Sequence, residues 1–565
     1  MRKQTIGVLW GDFPWEMPPG KLGKLLSWGS VARNFTRGLS MVGTVVPYVA
    51  PAAATPPAEQ RAALATFLRS IDVLWADFYP GTAPALHLRH ELNIPCRAVL
   101  FGGGTLPKGA EAMLFPWQRL LRPDDALVFS CRADQEIWHR LVAWSTLPEW
   151  VVPCPVDVSV FHPDERGNRA AVRRASGLPP EAPLLLFVGR LNIQKNLHSL
   201  LRLLAAVRRE VPDAHLCLVG EEDDIQLAEF AVRNTGYLAW LRALALELGV
   251  ADAVTFPGPL FGEDLANMYR AADVVVSLSV YHRENFGLSQ AEAQACGVPV
   301  VCADWGGFKD VVRHGETGYL VDAVLTKDGV RVDWATAAQH VVRALQEPDL
   351  RATMDARAAV WARERFTIAA LVPKLGAVVA GSPSPRERAQ PNADGRAVYE
   401  PSAFARRYEE HKRACGWYAD VVPSGASSAR WFPRMFEGRD YALYETLMEP
   451  YATRLASQLT PASLDASWIP YTPSGVDLDP IRHLARDLDP IWPYQRYLQP
   501  IEWELLRRID GTTAVGAIVE GLIGHPADDD SPISEALWRL HVEGFVLFTL
   551  SRGLTGGPHP CYRGR

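Results

Sequence analysis

The chain reads as an α/β protein with two parallel-sheet halves facing a cleft, followed by a smaller, mostly helical module. Three observations predict this. From residue 5 to about 325, short apolar runs alternate with longer amphipathic segments, the pattern of parallel strands covered by crossover helices. The runs fall into two series separated by a proline-bearing stretch, Val152-Pro153-Cys154-Pro155-Val156-Asp157 and then Phe161-His162-Pro163. Beyond residue 380 the composition turns polar, and a different pattern begins.

The first series of strand candidates is Thr5 to Trp10, Thr44 to Val49, Asp72 to Trp75, Arg97 to Phe101 and Ala126 to Ser130. The second is Leu184 to Val188, His215 to Val219, Val254 to Phe256, Asp273 to Ser277, Val298 to Cys302 and Gly318 to Val321. Two series imply two Rossmann-like domains, over residues 1–155 and 156–380. Within the first, a helix is expected from Val31 to Ser40. The run Arg363-Glu364-Arg365-Phe366-Thr367 and the helix after it are expected to close the second half by packing back on the first. Residues 381–396 hold three prolines among polar residues and read as an exposed linker. Residues 397–490 are expected to be helical, since Phe404 to Tyr418 carries charged and aromatic residues at helix-like spacing; no role is assigned to them.

Composition bounds the function. A chain of 565 residues exceeds what one hydrophobic core supports, so about three domains are expected. The apolar fraction of 48% and charged fraction of 22% are those of a soluble globular protein. A net charge of −6 gives no electrostatic reason to expect nucleic acid as a partner. The eight cysteines are scattered, without Cys-x-x-Cys or paired Cys/His spacing, which argues against a disulfide framework or a zinc site and favours the cytoplasm. The N-terminus reads as a first strand instead of a signal peptide, and no window has the length of a transmembrane segment.

The most informative motif is Glu284-Asn285-Phe286-Gly287-Leu288-Ser289-Gln290-Ala291-Glu292, running on to Cys296-Gly297-Val298-Pro299. Gly287 can open a helix against a ligand, Gly297 can end it in a left-handed cap, and Pro299 starts an apolar strand. Glu284 then lies in a loop facing a cleft while Glu292 sits in the helix, with backbone N–H groups at the helix start offering an anion site between them. Two glutamates alone would read as a solvated helix face; the Phe286-Gly287-Leu288 turn argues otherwise.

Here the chain resembles the retaining glycosyltransferases of family 4, which have the GT-B fold. The resemblance covers residues ~1–380 and implies a glycosyltransferase, a hexosyltransferase, that uses a nucleotide-sugar donor. It implies that Glu284 contacts the transferred sugar near the reacting carbon and that Glu292 holds the ribose hydroxyls, with Phe286, Gly287 and Leu288 forming the turn between them.

Breaking a glycosyl phosphate bond requires stabilising the departing diphosphate, by a metal or by fixed cations and helix dipoles. The run Val188-Gly189-Arg190-Leu191-Asn192-Ile193-Gln194-Lys195 supplies fixed cations. Gly189 ends a buried strand and lets backbone approach a ligand; Arg190 and Lys195 follow at the carboxyl edge of the sheet. The family grips its diphosphate at these positions. From the first half, Gly29 is the candidate for contact across the cleft, ahead of Gly20 and Gly23. The acidic turn Gly220-Glu221-Glu222-Asp223-Asp224 reads as solvated; no metal and no cofactor are expected. The chain departs from the family at Phe101-Gly102-Gly103-Gly104, where many members carry a histidine, and at Cys154-Pro155, usually Asn-Gly.

The expected reaction is metal-independent transfer with retention, with Arg190, Lys195 and Glu284 as catalytic residues and an acceptor that is a natural product, a peptide or a glycan. The alternatives are a non-catalytic GT-B scaffold or peptide-binding protein, and a sugar phosphorylase. Residues 491–550 follow the order helix, Asp510-Gly511-Thr512 turn, helix, helix, then Gly544-Phe545-Val546. They are similar to winged-helix peptide-recognition domains related to the pyrroloquinoline-quinone chaperone. That resemblance implies docking of a peptide; a structural or homodimer role stays open beside it.

Overall fold

The computed structural model describes residues 3–10, 26–52, 55–77, 82–102, 120–141, 147–163, 168–222, 236–281, 284–327, 329–382, 449–473, 476–487, 494–523 and 532–549. Among these, the first half is built on a parallel sheet of β1 (Thr5–Leu9), β2 (Thr44–Pro47), β3 (Val73–Asp77), β4 (Arg97–Phe101), β5 (Ala126–Phe129) and β6 (Glu149–Val151). Its order is β2-β1-β3-β4-β5-β6. Strand β3, Val-Leu-Trp-Ala-Asp, is buried along its whole length, as a strand covered on both faces must be. Helices α1 (Leu26–Val42), α2 (Pro57–Arg69), α3 (Ala83–Glu91) and α4 (Arg132–Leu141) cover it. Arg89 on α3 is fully buried and donates to both carboxylate oxygens of Asp125 at 2.6 Å. Such a pair survives burial because each charge is met in a bidentate geometry.

After α5 (Arg169–Ala175), the second half repeats the plan with β7 (Leu184–Val188), α6 (Leu197–Val207), β8 (His215–Val219), α7 (Tyr237–Glu247), β9 (Val254–Gly258), α8 (Gly262–Ala271) and β10 (Val274–Ser277). It continues through α9 (Leu288–Ala295), β11 (Val300–Ala303), α10 (Phe308–Val311) and β12 (Gly318–Val321). The sheet order is β12-β11-β10-β7-β8-β9, all parallel. The chain winds outward one way from β7 and the other way from β10. Adjacent β7 and β10 therefore mark a topological switch point, where loops leaving the carboxyl ends of the strands diverge and leave a crevice.

The strands fall where the apolar runs place them. Two features exceed that reading. Strand β6 extends the first sheet, and after β12 the chain turns into an antiparallel hairpin, β13 (Ala323–Thr326) and β14 (Gly329–Val332). Helices α11 (Trp334–Gln346), α12 (Pro348–Arg365) and α13 (Ile368–Val379) follow. The last packs back on α1 as expected, and Arg97 donates to the carbonyls of Val378 and Val379 at 2.5 and 2.7 Å.

The expected linker, beyond residue 382, and the first part of the expected helical region, up to residue 448, lie outside the described residues. What is described between 449 and 487 differs from the helical expectation. It contains 3-10 turns and the short strands β15 (Arg454–Leu455), β16 (Ile469–Tyr471), β17 (Val476–Asp479) and β18 (Leu484–Asp487). The helix-like spacing that motivated the expectation belonged to Phe404 to Tyr418 and did not extend this far. Strands β17, β18 and β19 (Tyr494–Tyr497) form an antiparallel sheet, followed by α14 (Pro500–Arg508), α15 (Val515–Ile523) and α16 (Pro532–Val542). Among the described residues, the closing strand β20 (Leu547–Thr549) pairs antiparallel with β16.

This C-terminal part packs on the second half. Lys327 N–H donates to Val542 O at 2.9 Å, Trp334 Nε1 to Pro473 O at 2.7 Å, and Tyr471 Oη to Asp333 Oδ1 at 2.8 Å. Strand β15 runs parallel to β13, so the hairpin is the shared element.

Candidate active site

The switch point of the second sheet brings two sequence-distant loops together. One leaves β7 as Gly189-Arg190-Leu191-Asn192, then passes through a 3-10 turn, Ile193–Lys195. It ends at Asn196 in a left-handed conformation (φ 53°), which asparagine tolerates better than most residues. Asn196 is buried, donates from Nδ2 to Leu278 O at 2.9 Å and accepts from Ser199 Oγ at 2.7 Å. The loop after β7 is thereby fastened to the loop after β10.

The second loop carries Ser279, Tyr281 and Glu284. Ser279 Oγ lies 3.1 Å from Gln194 O and 2.7 Å from Glu284 Oε1. Lys195 Nζ forms an ion pair with the same Glu284 oxygen. Arg190 sits on the same loop as Lys195, its Nη2 donating to Gln194 Oε1 at 3.2 Å. Glu284 is 8% exposed, so the pair is well shielded and its Coulomb attraction exceeds that of a surface pair.

Past Glu284 the chain enters α9 through Phe286 and Gly287. Phe286 is buried and meets Phe366 edge-on, with ring centroids 5.5 Å apart. Gly287 has φ 95°, and a Cβ there would lie 2.7 Å from Phe308, so no other residue fits without strain. Leu288 starts the helix, whose first amides have no intrahelical acceptor and point out of its N-terminus. Glu292, one turn in, accepts from Tyr269 Oη at 3.2 Å. Burial pushes its carboxyl up to about 8, although the side chain keeps partial solvent access. Gly297 ends the helix with φ 73°.

A second tier of backbone bonds braces the Glu284 loop. Glu284 N–H and Trp305 Nε1 both donate to Tyr281 O, at 3.0 and 2.7 Å, and Gly307 N–H donates to Glu284 O at 2.8 Å. From the first half, Ser130 Oγ donates to Asn285 O at 2.9 Å, and Arg132 N–H donates to Asp310 Oδ2 at 2.6 Å. The two halves thus meet beside Glu284.

Of the residues singled out in the sequence, the structure brings Gly189, Arg190, Lys195, Glu284, Phe286, Gly287, Leu288 and Glu292 to this one edge of the second sheet. Gly29 is placed differently from expectation. Helix α1 starts at Leu26, so Gly29 is buried in its first turn and is not in a loop ahead of a helix at Val31. Gly20 and Gly23 lie outside the described residues, as do Gly103, Gly104, Asp223 and Asp224. Ser279 and Asn196 were missed. For Asn196 a signal existed, since a polar residue tolerant of positive φ directly follows Lys195; Ser279 carried none.

This geometry, with cations and a helix N-terminus around a buried glutamate at a switch point, suits an anionic sugar conjugate. Residues 168–361 match the family described as glycosyl transferases group 1. The group 1 domain contains Arg190, Lys195, Ser279, Glu284 and Glu292. Among similar proteins, the D-inositol 3-phosphate glycosyltransferase of Xylanimonas cellulosilytica is 35% identical over 275 residues, 46% of this chain and 62% of that protein. The Thermomonospora curvata protein of the same name is 41% identical over 242 residues, 42% of this chain and 54% of that protein. The match therefore spans little more than half the length of these curated relatives. Among solved structures, a glycosyltransferase from Rickettsia africae aligns at TM-score 0.52 and 13% identity, covering 67% of this chain and 99% of its own. Anabaena HepE in complex with UDP and glucose aligns at 0.50 and 17%, with the same coverage. The group 1 domain and the half before it have the two-sheet GT-B architecture of glycosyltransferases. No helix among the described residues is long and apolar enough to cross a membrane.

Proposed function

We propose that this protein is a retaining, metal-independent glycosyltransferase that moves a sugar from a nucleotide diphosphate sugar to an acceptor outside the donor site. The observation that carries the reading is the Lys195–Glu284 ion pair at the β7/β10 switch point, flanked by Arg190 and the α9 N-terminus. A glycosyl diphosphate placed there has its leaving phosphates beside two cations and a helix dipole. Glu284 orients the sugar and stabilises positive charge at the reacting carbon. Glu292 accepts from the ribose hydroxyls, a role open to a carboxyl with one existing donor, Tyr269, and strongest once that carboxyl is ionised.

In the transfer step the acceptor oxygen bonds to the anomeric carbon on the face from which the diphosphate departs. The bond from that carbon to the phosphate oxygen breaks, and the acceptor proton passes to a phosphate oxygen. Products are the glycosylated acceptor and the nucleoside diphosphate. The Anabaena neighbour holds UDP and glucose, which makes UDP-glucose the first donor to try. The acceptor is a natural product, a peptide or a glycan. The C-terminal part, an antiparallel sheet followed by helices, is the candidate for docking a peptide acceptor.

The test is release of UDP from UDP-glucose by the full chain, with and without acceptor panels, and NMR of the product's anomeric coupling. Retained anomeric configuration with UDP release supports the reading. Release of glucose 1-phosphate dependent on added phosphate would favour a phosphorylase instead. UDP release that persists unchanged in Lys195→Ala and Glu284→Gln would remove this site from the reaction.

A further inference from the structure

The residues after the C-terminal part's first described position form a strap that enters the seam between the two halves. Tyr451 is fully buried there. Its Oη donates to Asp134 Oδ1, on α4 of the first half, while its ring meets Trp305 of the second half at 68° with centroids 5.4 Å apart. The flanking backbone is held at several points. Gly306 N–H donates to Tyr451 O at 2.9 Å, and Lys309 Nζ donates to Pro450 O and Ala452 O at 3.2 and 2.5 Å. Thr453 N–H donates to Ala323 O at 2.9 Å, Ala323 N–H donates back to Thr453 Oγ1 at 2.9 Å, and Arg454 pairs with Asp322 at 3.2 Å.

The turn the strap presses on is the one that braces the Glu284 loop. At Gly306, with φ 52°, an added Cβ would lie 2.5 Å from Glu284 O on one side and 2.6 Å from the Tyr451 ring on the other. At Gly307 a Cβ would overlap the backbone of Asn285 and Phe286. The layers are therefore the Tyr451 ring, the two-glycine turn, the Glu284 backbone, and then the Glu284 side chain on Lys195. No slack separates them, because the middle layer has no side chains.

We propose that Tyr451 is a positioning residue for the transferase site: through the Trp305-Gly306-Gly307 turn it fixes the Glu284 loop, and through Asp134 it ties that loop to the first half. The residues C-terminal to the GT-B fold thus complete its active site. Tyr451 touches no reacting atom in this account. It acts on where Glu284 stands, and a misplacement of about 1 Å in a catalytic group can cost on the order of a hundredfold in rate. The proposal rests on the glycosyltransferase reading for its kinetic consequence but not for its structural one.

The experiment compares wild type, Tyr451→Ala and Tyr451→Phe as full chains. With UDP-glucose as probe donor and UDP release as readout, Tyr451→Ala is expected to lower kcat roughly ten- to hundredfold with donor KM within about twofold. Tyr451→Phe, which keeps the ring and loses only the bond to Asp134, is expected to recover kcat to within about threefold of wild type. Without any donor, amide hydrogen exchange at Phe286, Gly306 and Gly307 is expected to speed up roughly tenfold in Tyr451→Ala and less in Tyr451→Phe. Wild-type exchange at those amides in a folded Tyr451→Ala protein overturns the proposal, as does a rise in KM with kcat intact. If wild type releases no UDP, the donor reading fails while the exchange result still decides the strap.

Discussion

Lys195 and Glu284 meet across the β7/β10 crevice although 89 positions separate them in the chain. Each comes from the loop leaving one of the two strands that flank the switch point. On the proposed reading Lys195 has two partners in the working protein, the carboxylate it contacts in this structure and the diphosphate of an arriving donor. Binding must redistribute that cation between them, while Ser279 Oγ stays within 2.7 Å of the same Glu284 oxygen.

Replacing Lys195 by Ala removes one of the two cations of the proposed diphosphate site and leaves Glu284 with Ser279 as its near partner. A loss of about 10²–10³ in kcat is expected, the size seen when one preorganised stabilising group is deleted. Arginine should not restore it fully, since its planar fork does not reproduce a point charge. Steady-state UDP release from UDP-glucose checks both, and near-wild-type rates in Lys195→Ala would contradict the assignment.

The two glutamates should separate kinetically. On the proposed reading Glu284→Gln keeps the shape but removes the charge next to the reacting carbon, so kcat is expected to fall while UDP affinity, measured by calorimetry, stays close to wild type. Glu292→Ala removes an acceptor for the ribose, so UDP affinity falls first. The opposite pattern would exchange their roles.

Glu292 also predicts a pH signature. Burial lifts its carboxyl from the ordinary value of 4.5 to about 8, so between those pH values the folded chain holds a proton that the unfolded chain has released. Stability from this group is therefore greatest at low pH and declines as pH rises through that window. Glu292→Gln, which cannot ionise, should gain in Tm relative to wild type from pH 5 to pH 8.5. Wild-type UDP affinity should rise over the upper part of the same range, because hydroxyl donors favour the carboxylate. Parallel melting curves across the range would show that the carboxyl is not perturbed.

Gly307→Ala tests the bracing turn. Its Cβ would run into the Asn285 and Phe286 backbone, which cannot swing aside as a side chain can. Overpacking of this kind costs about 1–3 kcal/mol, readable as a lowered urea midpoint. Activity should fall further than the loss of folded protein explains, because the displaced backbone carries Glu284.

The sheets were legible because buried parallel strands are near-continuous apolar runs, and Leu184–Val188, His215–Val219 and Gly318–Val321 coincide with theirs to the residue. Hairpin β13–β14 was not. Its residues, Ala-Val-Leu-Thr and Gly-Val-Arg-Val, are buried on two sides, Leu325, Val330 and Val332 in the main core and Val324 against Ala456, Tyr471, Val542 and Leu547 of the C-terminal part, a contact invisible to local patterning. The loops carrying Arg190, Lys195 and Glu284, and the helix carrying Glu292, were legible because glycines and charges stand at fixed offsets from strand ends. Tyr451 was not, since a single tyrosine has no local mark of lying in a seam; its partners Asp134 and Trp305 are remote in sequence. The start of α1 was misjudged because Gly29 reads as a helix breaker, whereas helix packing against the first sheet tolerates it one turn in.

The alignment of β15 with β13 has a practical corollary for anyone trimming this protein. Strand β13 lies between β14 and β15, so a version cut at residue 382 would bare a row of backbone donors and acceptors along Val324 and Leu325. An uncovered flank of that sort recruits whatever strand it meets, including another copy of itself. Shortened versions made for crystallisation or expression should keep the ribbon through Leu455 or expect clumping.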